Sequence, residues 1–148
     1  MDTTLFAEQA LLPTGWARDV RLALGGEAIA SVEVGVARNP GDIAGGTVIP
    51  GMANLHSHAF QRAMAGLTER RGPTADSFWT WRDLMYRFAL GLDPDQMQAV
   101  AEMAYVEMLE AGFTRVGEFH YLHHDRDGRP YADPAEMSLR ILAAAERT

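Results

Sequence analysis

Apolar and polar residues alternate differently in two parts of the chain. From Trp16 to Leu24, Val20, Leu22 and Leu24 alternate with Asp19, Arg21 and Ala23, the period of two expected of a half-buried strand. Gly25-Gly26 then suits the positive φ angles of a tight hairpin turn. A return strand follows to about Val36, with Val32, Val34 and Val36 on one face and Glu33 on the other. Upstream, Pro13-Thr14-Gly15 marks a loop, and Ala7 to Leu12 fits either a short strand or a helical turn. Residues 37–46 read as a loop. This first part is a small β unit, too small to bury a core alone.

The second part begins with Val48-Ile49-Pro50-Gly51-Met52-Ala53-Asn54-Leu55-His56-Ser57-His58, which reads as a short buried strand. The period then becomes helical. Phe60, Met64 and Leu67 begin one helix, with Gly66 and Gly72-Pro73 marking its end and a loop. Ser77 to Leu90 is a second, with Phe78, Trp81, Met85 and Phe88 on one face, Asp76 or Ser77 as cap and Gly91 just past the end. The third has the clearest start: Asp93 caps, Pro94 takes the first helical position, and Gln96 completes a capping box. Its apolar face is Met97, Val100, Ala101, Ala104, Tyr105, Met108 and Leu109, and Gly112 ends it. Thr114 to His120 reads as a strand and Ala135 to Arg147 as a helix starting near Asp133-Pro134. Strand, helices, strand, helix is the order of an α/β fold with parallel strands. Two such strands leave faces and edges uncovered, so the expectation is the N-terminal part of a larger protein.

Composition narrows the class. The chain has 148 residues, 47% hydrophobic and 22% charged, a globular balance. Its net charge of −7 argues against a general nucleic-acid or anionic-membrane binder. There is no cysteine, which removes disulfides, thiolate zinc sites and cysteine nucleophiles and fits a reducing compartment. No basic leader opens the chain and no apolar run approaches the ~18 residues of a membrane span. The expected location is the cytoplasm.

His56 and His58 carry the candidate chemistry. Two residues apart on a strand, their side chains point to the same side, and neutral imidazoles suit zinc or iron. A catalytic zinc takes three protein ligands and keeps a position for water, so two histidines are part of a site. His120, His123, His124 and Asp125 form a second group, but neighbouring loop histidines point apart, and no metal role is expected of them.

The run from Val48 to His58 resembles the first-strand signature of the amidohydrolase superfamily, metal-dependent hydrolases on a (β/α)₈ barrel with a small β-sandwich domain. Ala59-Phe60-Gln61-Arg62-Ala63-Met64-Ala65-Gly66, Ser77-Phe78-Trp79-Thr80-Trp81-Arg82 and Glu118-Phe119-His120-Tyr121 narrow the resemblance to the formimidoylglutamate deiminase family. The resemblance spans nearly the whole chain and is strongest from Pro50 onward. It implies residues 1–47 as a β-sandwich segment and 48–148 as the first β/α units of an incomplete (β/α)₈ TIM barrel. It implies one zinc, with iron as an alternative, held by His56 and His58 and by a His and an Asp from later strands, which also supply the acid and base. Zinc-bound hydroxide would attack the formimino carbon of N-formimino-L-glutamate, giving N-formyl-L-glutamate and ammonia in histidine degradation. Gln61, Arg82 and Tyr121 match the family's substrate-contact positions, with the Arg82 fork suited to a carboxylate. Glu118 either lines the pocket or steadies a ligand histidine from behind. The resemblance further implies a homodimer at full length, and this chain alone is expected to be inactive. Two other readings stay open on the residues: another amidohydrolase, such as an imidazolonepropionase or an aminopurine deaminase, and a non-catalytic, oligomerising fragment.

Overall fold

The computed structural model describes residues 3–68 and 77–148. The chain forms two compact units, Met1–Gly51 and Met52–Thr148. Gly72-Pro73 and the alternative cap Asp76 lie outside the described residues.

The first unit is a four-stranded sheet in the order β3-β2-β1-β4. β1 spans Thr3–Leu12, β2 Gly15–Gly25, β3 Ala28–Val34 and β4 Ile43–Val48. The ambiguous stretch before Pro13 is therefore strand. β1 and β2 pair antiparallel from Thr3↔Leu24 to Leu12↔Gly15, and β2 turns into β3 through Gly26 at φ 62°. The apolar face of β2 works as its alternation predicts: Val20 and Leu22 are buried with Ala7 and Ala10 of β1. β3 is exposed along its whole length.

Two expectations change here. Residues 43–46, read as loop, belong to β4, which lies parallel to β1 with Leu5 opposite Ile43 and Ala10 opposite Val48. Gly45-Gly46 gives this strand little intrinsic preference; its partner, nearly forty residues upstream, makes it. Val48 also ends β4 rather than opening the histidine strand, which is β5, Met52–Ser57. Ile49-Pro50-Gly51 separates the two, where proline has no N–H for a ladder. β5 is mostly exposed rather than buried, with only Ser57 fully covered.

The second unit pairs β5 in parallel with β6, Phe113–Glu118, with helices between them. This is the repeating unit of (β/α)₈ barrels. A 3₁₀ turn, Ala59–Met64, stands where the Phe60, Met64 and Leu67 spacing suggests a full helix; Gly66 at φ 81° follows. α1 spans Phe78–Ala89, and Ser77 caps it in a reciprocal box with Thr80. α2 spans Pro94–Glu110 and opens on the capping box read from the sequence: Gln96 N–H donates to Asp93 Oδ1 at 2.8 Å. Gly112 at φ 89° terminates it. α3 spans Glu136–Arg147 and packs on α2.

The core of this unit joins Phe60 and Met64 of the 3₁₀ turn, Met85 and Ala89 of α1, Met97, Ala101, Ala104 and Tyr105 of α2, and Met137, Ile141 and Ala144 of α3. Leu109 and Phe78 were expected on buried faces but are exposed. Both sit at the terminal turn of their helix, beyond the reach of the packed middle. Arg62 Nε and Nη2 each donate at 2.6 Å to the Glu107 carboxylate, a two-pronged pair tying the 3₁₀ turn to α2. The pair holds Glu107 below the usual carboxylate range and raises Arg62.

Candidate metal centre

β5 does not run evenly into its two histidines. Asn54 pairs with Val116, but Ser57 pairs with Glu118, so β5 carries one extra residue against β6. This is a β-bulge, a device that re-aims side chains at a strand end. It interrupts the ladder at His56, and the Asn54 side chain compensates: its Oδ1 accepts the His56 N–H at 3.1 Å. His58 lies past the strand and caps the 3₁₀ turn at φ −130°, ψ 80°. Regular alternation alone therefore does not explain why the two imidazoles share a side.

They do converge. His56 Nε2 and His58 Nε2 are 2.9 Å apart, with the rings edge to face. His58 Nδ1 is 2.9 Å from the Phe119 carbonyl, which can only accept. Nδ1 therefore carries the proton and Nε2 presents its lone pair. A ligating histidine whose other nitrogen is fixed by a carbonyl is the usual arrangement at metal sites. Two bonds of about 2.0–2.1 Å, the usual zinc–imidazole length, easily span this separation. The donor set thus fits a metal ion. Among the described residues there is no group of three or more His, Cys, Asp or Glu side chains that could hold one.

The family's other positions assemble beside it, with one exception. The Tyr121 ring lies 5.1 Å from the His58 ring. Gln61 Nε2 donates to the Tyr121 oxygen at 3.2 Å, and the Tyr121 hydroxyl donates to Met85 Sδ at 3.5 Å. Met85, which the sequence offered only as a core residue, is the floor on which both polar groups rest. Arg82 stands three residues before Met85 on α1, and among the described contacts it hydrogen-bonds to none of His56, His58, Gln61 and Tyr121. Its Nε and Nη2 donate to the Tyr86 hydroxyl at 3.2 and 3.0 Å, and its guanidinium lies 5.5 Å from the Trp79 ring centre.

The second histidine group behaves otherwise. The His120 and His123 rings stand 5.4 Å apart, edge to face, and His120 Nε2 is buried with no hydrogen-bond partner. Burial lowers the His120 pKa.

Comparison with known proteins agrees with this geometry. Residues 2–46 match the family described as formimidoylglutamate deiminase HutF, N-terminal domain, and residues 47–147 match the amidohydrolase family. The chain is 56% identical over 144 residues to a formimidoylglutamate deiminase of Pseudomonas aeruginosa, covering 97% of this chain and 32% of that protein. An amidohydrolase crystal structure from Brucella melitensis superposes with a TM-score of 0.94 at 61% identity, over 98% of this chain and 32% of that one. Atrazine chlorohydrolase TrzN from Arthrobacter aurescens TC1, crystallised with zinc, shares the fold at a TM-score of 0.72 and 18% identity, over 98% of this chain and 33% of that one. The chain thus spans about a third of the length of these relatives.

Proposed function

The chain belongs to the amidohydrolase family, and from that premise we propose that it supplies the first part of the active site of a formimidoylglutamate deiminase. The whole protein hydrolyses N-formimino-L-glutamate to N-formyl-L-glutamate and ammonia, in the cytoplasm. The observation that carries the reading is the convergence of His56 and His58, with His58 fixed in the tautomer a metal needs. The substrate follows from likeness to the Pseudomonas deiminase along nearly the whole chain.

His56 and His58 would hold zinc through Nε2, His58 keeping its proton on Nδ1. When bound, the ion supplies Lewis-acid activation of water and of the formimino carbon. Phe119 keeps His58 from rotating. Gln61 and Tyr121, already bonded to each other beside His58, present an amide and a phenol to one end of the substrate. Arg82 recognises a carboxylate. Its guanidinium has five donors in a planar fork, and its contacts with Trp79 and Tyr86 orient that fork. A dianionic substrate entering a chain of net charge −7 requires such a localised cation. Two metal ligands do not complete a catalytic site, so this chain alone does not turn over.

The test is ammonia release from N-formimino-L-glutamate by a zinc-loaded protein carrying this chain at its relatives' full length. Arg82→Met should lower kcat/KM by about 10- to 100-fold, mostly through KM, the loss of a charged hydrogen-bond partner. Absence of ammonia, or indifference to Arg82→Met, contradicts the assignment. An aminopurine or imidazolone substrate would leave Arg82 dispensable.

A further inference from the structure

We infer that Glu118 is a positioning residue of the metal centre, acting through the main chain of the turn that carries His58 rather than on either imidazole. The inference rests on the metal reading of His56 and His58.

Strand pairing stops at Ser57. The next N–H groups belong to the start of the 3₁₀ turn, where no carbonyl of the turn itself can satisfy them. Ala59 is 2% exposed, so water does not serve its N–H. Glu118 does: its Oε1 accepts that N–H at 2.7 Å. Residues 118 and 119 then hold the turn from three directions. Glu118 takes Ala59, the Phe119 carbonyl takes His58 Nδ1–H, and Phe119 N–H donates to the Ser57 carbonyl at 2.8 Å. The residues on both sides of His58, and its ring, are thereby referred to the end of β6.

The neighbouring residue permits this. A Cβ on Gly117 would lie 3.0 Å from the Leu55 carbonyl oxygen, opposite the bulge that re-aims His56. Only glycine lets β6 approach this closely, and the approach carries the Glu118 carboxylate under Ala59. Its second oxygen is buried without a hydrogen-bond partner. A carboxylate with one oxygen on a backbone N–H and the other buried and unpartnered is a poor device for stability alone. It is well suited to fixing a ligand-bearing turn.

The experiment compares Glu118→Ala, Glu118→Gln and Gly117→Ala in a protein carrying this chain at its relatives' full length. Two readouts are used: zinc affinity by chelator competition, and amide hydrogen exchange at Ala59. Loss of an outer support to a metal ligand weakens affinity by about 10- to 100-fold. Glu118→Ala should show that loss and exchange Ala59 at least ~10-fold faster. Glu118→Gln keeps a carbonyl oxygen for the Ala59 N–H and should stay within about threefold on both. Gly117→Ala, with the carboxylate intact but pushed back, should weaken zinc by at least about threefold. Unchanged zinc affinity in Glu118→Ala or Gly117→Ala overturns the role. So does a Glu118→Gln loss equal to that of Glu118→Ala, or faster exchange spread evenly over β5, β6 and α2. If the unsubstituted full-length protein takes up no zinc, the metal reading falls instead, while Ala59 exchange still reports whether Glu118 holds the turn.

Discussion

Two groups of histidines end up at the same end of the β5–β6 pair, and only one of them brings two ring nitrogens together. His56 and His58 have their Nε2 atoms 2.9 Å apart, an outer nitrogen fixed by Phe119 and backbone held by Asn54 and Glu118. His120 and His123 approach only edge to face, and the nitrogen of His120 that faces inward meets no partner. The second group is richer in histidine. The difference lies in what fixes the rings: a bulge, a strand end and three hydrogen bonds aim one pair, whereas the loop after Glu118 aims nothing in common. On the proposed reading, metal competence comes from support, not from the number of ligating side chains.

The comparison breaks most visibly at the rings. Replacing His56 or His58 by alanine should abolish measurable zinc binding by the chain, a loss of at least ~100-fold, beyond that of an outer-support variant. His123→Ala and His124→Ala should stay within about twofold, since exposed substitutions away from special contacts do little. Chelator competition on the four variants checks this, and an equal loss in both groups would erase the distinction.

Met85 sharpens it next. At 7% exposed and touching both Gln61 and Tyr121, it supports the substrate side of the centre from the core. Met85→Ala should cost about 2–4 kcal/mol in urea unfolding, as truncation of a buried methionine does. Tyr121→Phe removes one hydroxyl between Gln61 and Met85 and should cost about 1 kcal/mol by the same measurement.

The smallest effect is the pH response of His120. Burial sets its folded pKa below the ordinary value near 6.5, so the unfolded chain takes up a proton first as pH falls. The contribution is therefore fully present above about pH 6.5 and declines as pH falls towards the lowered folded value. His120→Gln should flatten that part of the stability profile. Zinc should not alter it, since no metal role is proposed for His120.

Much of the fold was legible where chemistry is local. Asp93-Pro94-Gln96 set the start of α2, Gly26 the turn between β2 and β3, with Gly25 still paired in β2, and Gly112 a helix end, because caps and turns depend on neighbours in sequence. β4 was not legible, since Gly45-Gly46 becomes strand only against β1. The break at Ile49-Pro50-Gly51 was written in the proline but overridden by the apolar run around it. At the centre, the His56–His58 spacing pointed to a shared side, yet the bulge, the tautomer of His58 and the Glu118–Ala59 bond come from a strand some sixty residues away. Met85 gave no signal beyond helical periodicity, because its role as a floor for Gln61 and Tyr121 exists only after α1 packs.

The most direct measurement is a zinc titration, followed by NMR, of the ¹⁵N-histidine-labelled protein carrying this chain at its relatives' full length. The chain has five histidines. The Nε2 resonances of His56 and His58 should move together and saturate with one ion, while His58 keeps its proton on Nδ1 and His120, His123 and His124 stay in place. Movement of the His120 group, or no movement at His56 and His58, would contradict the account.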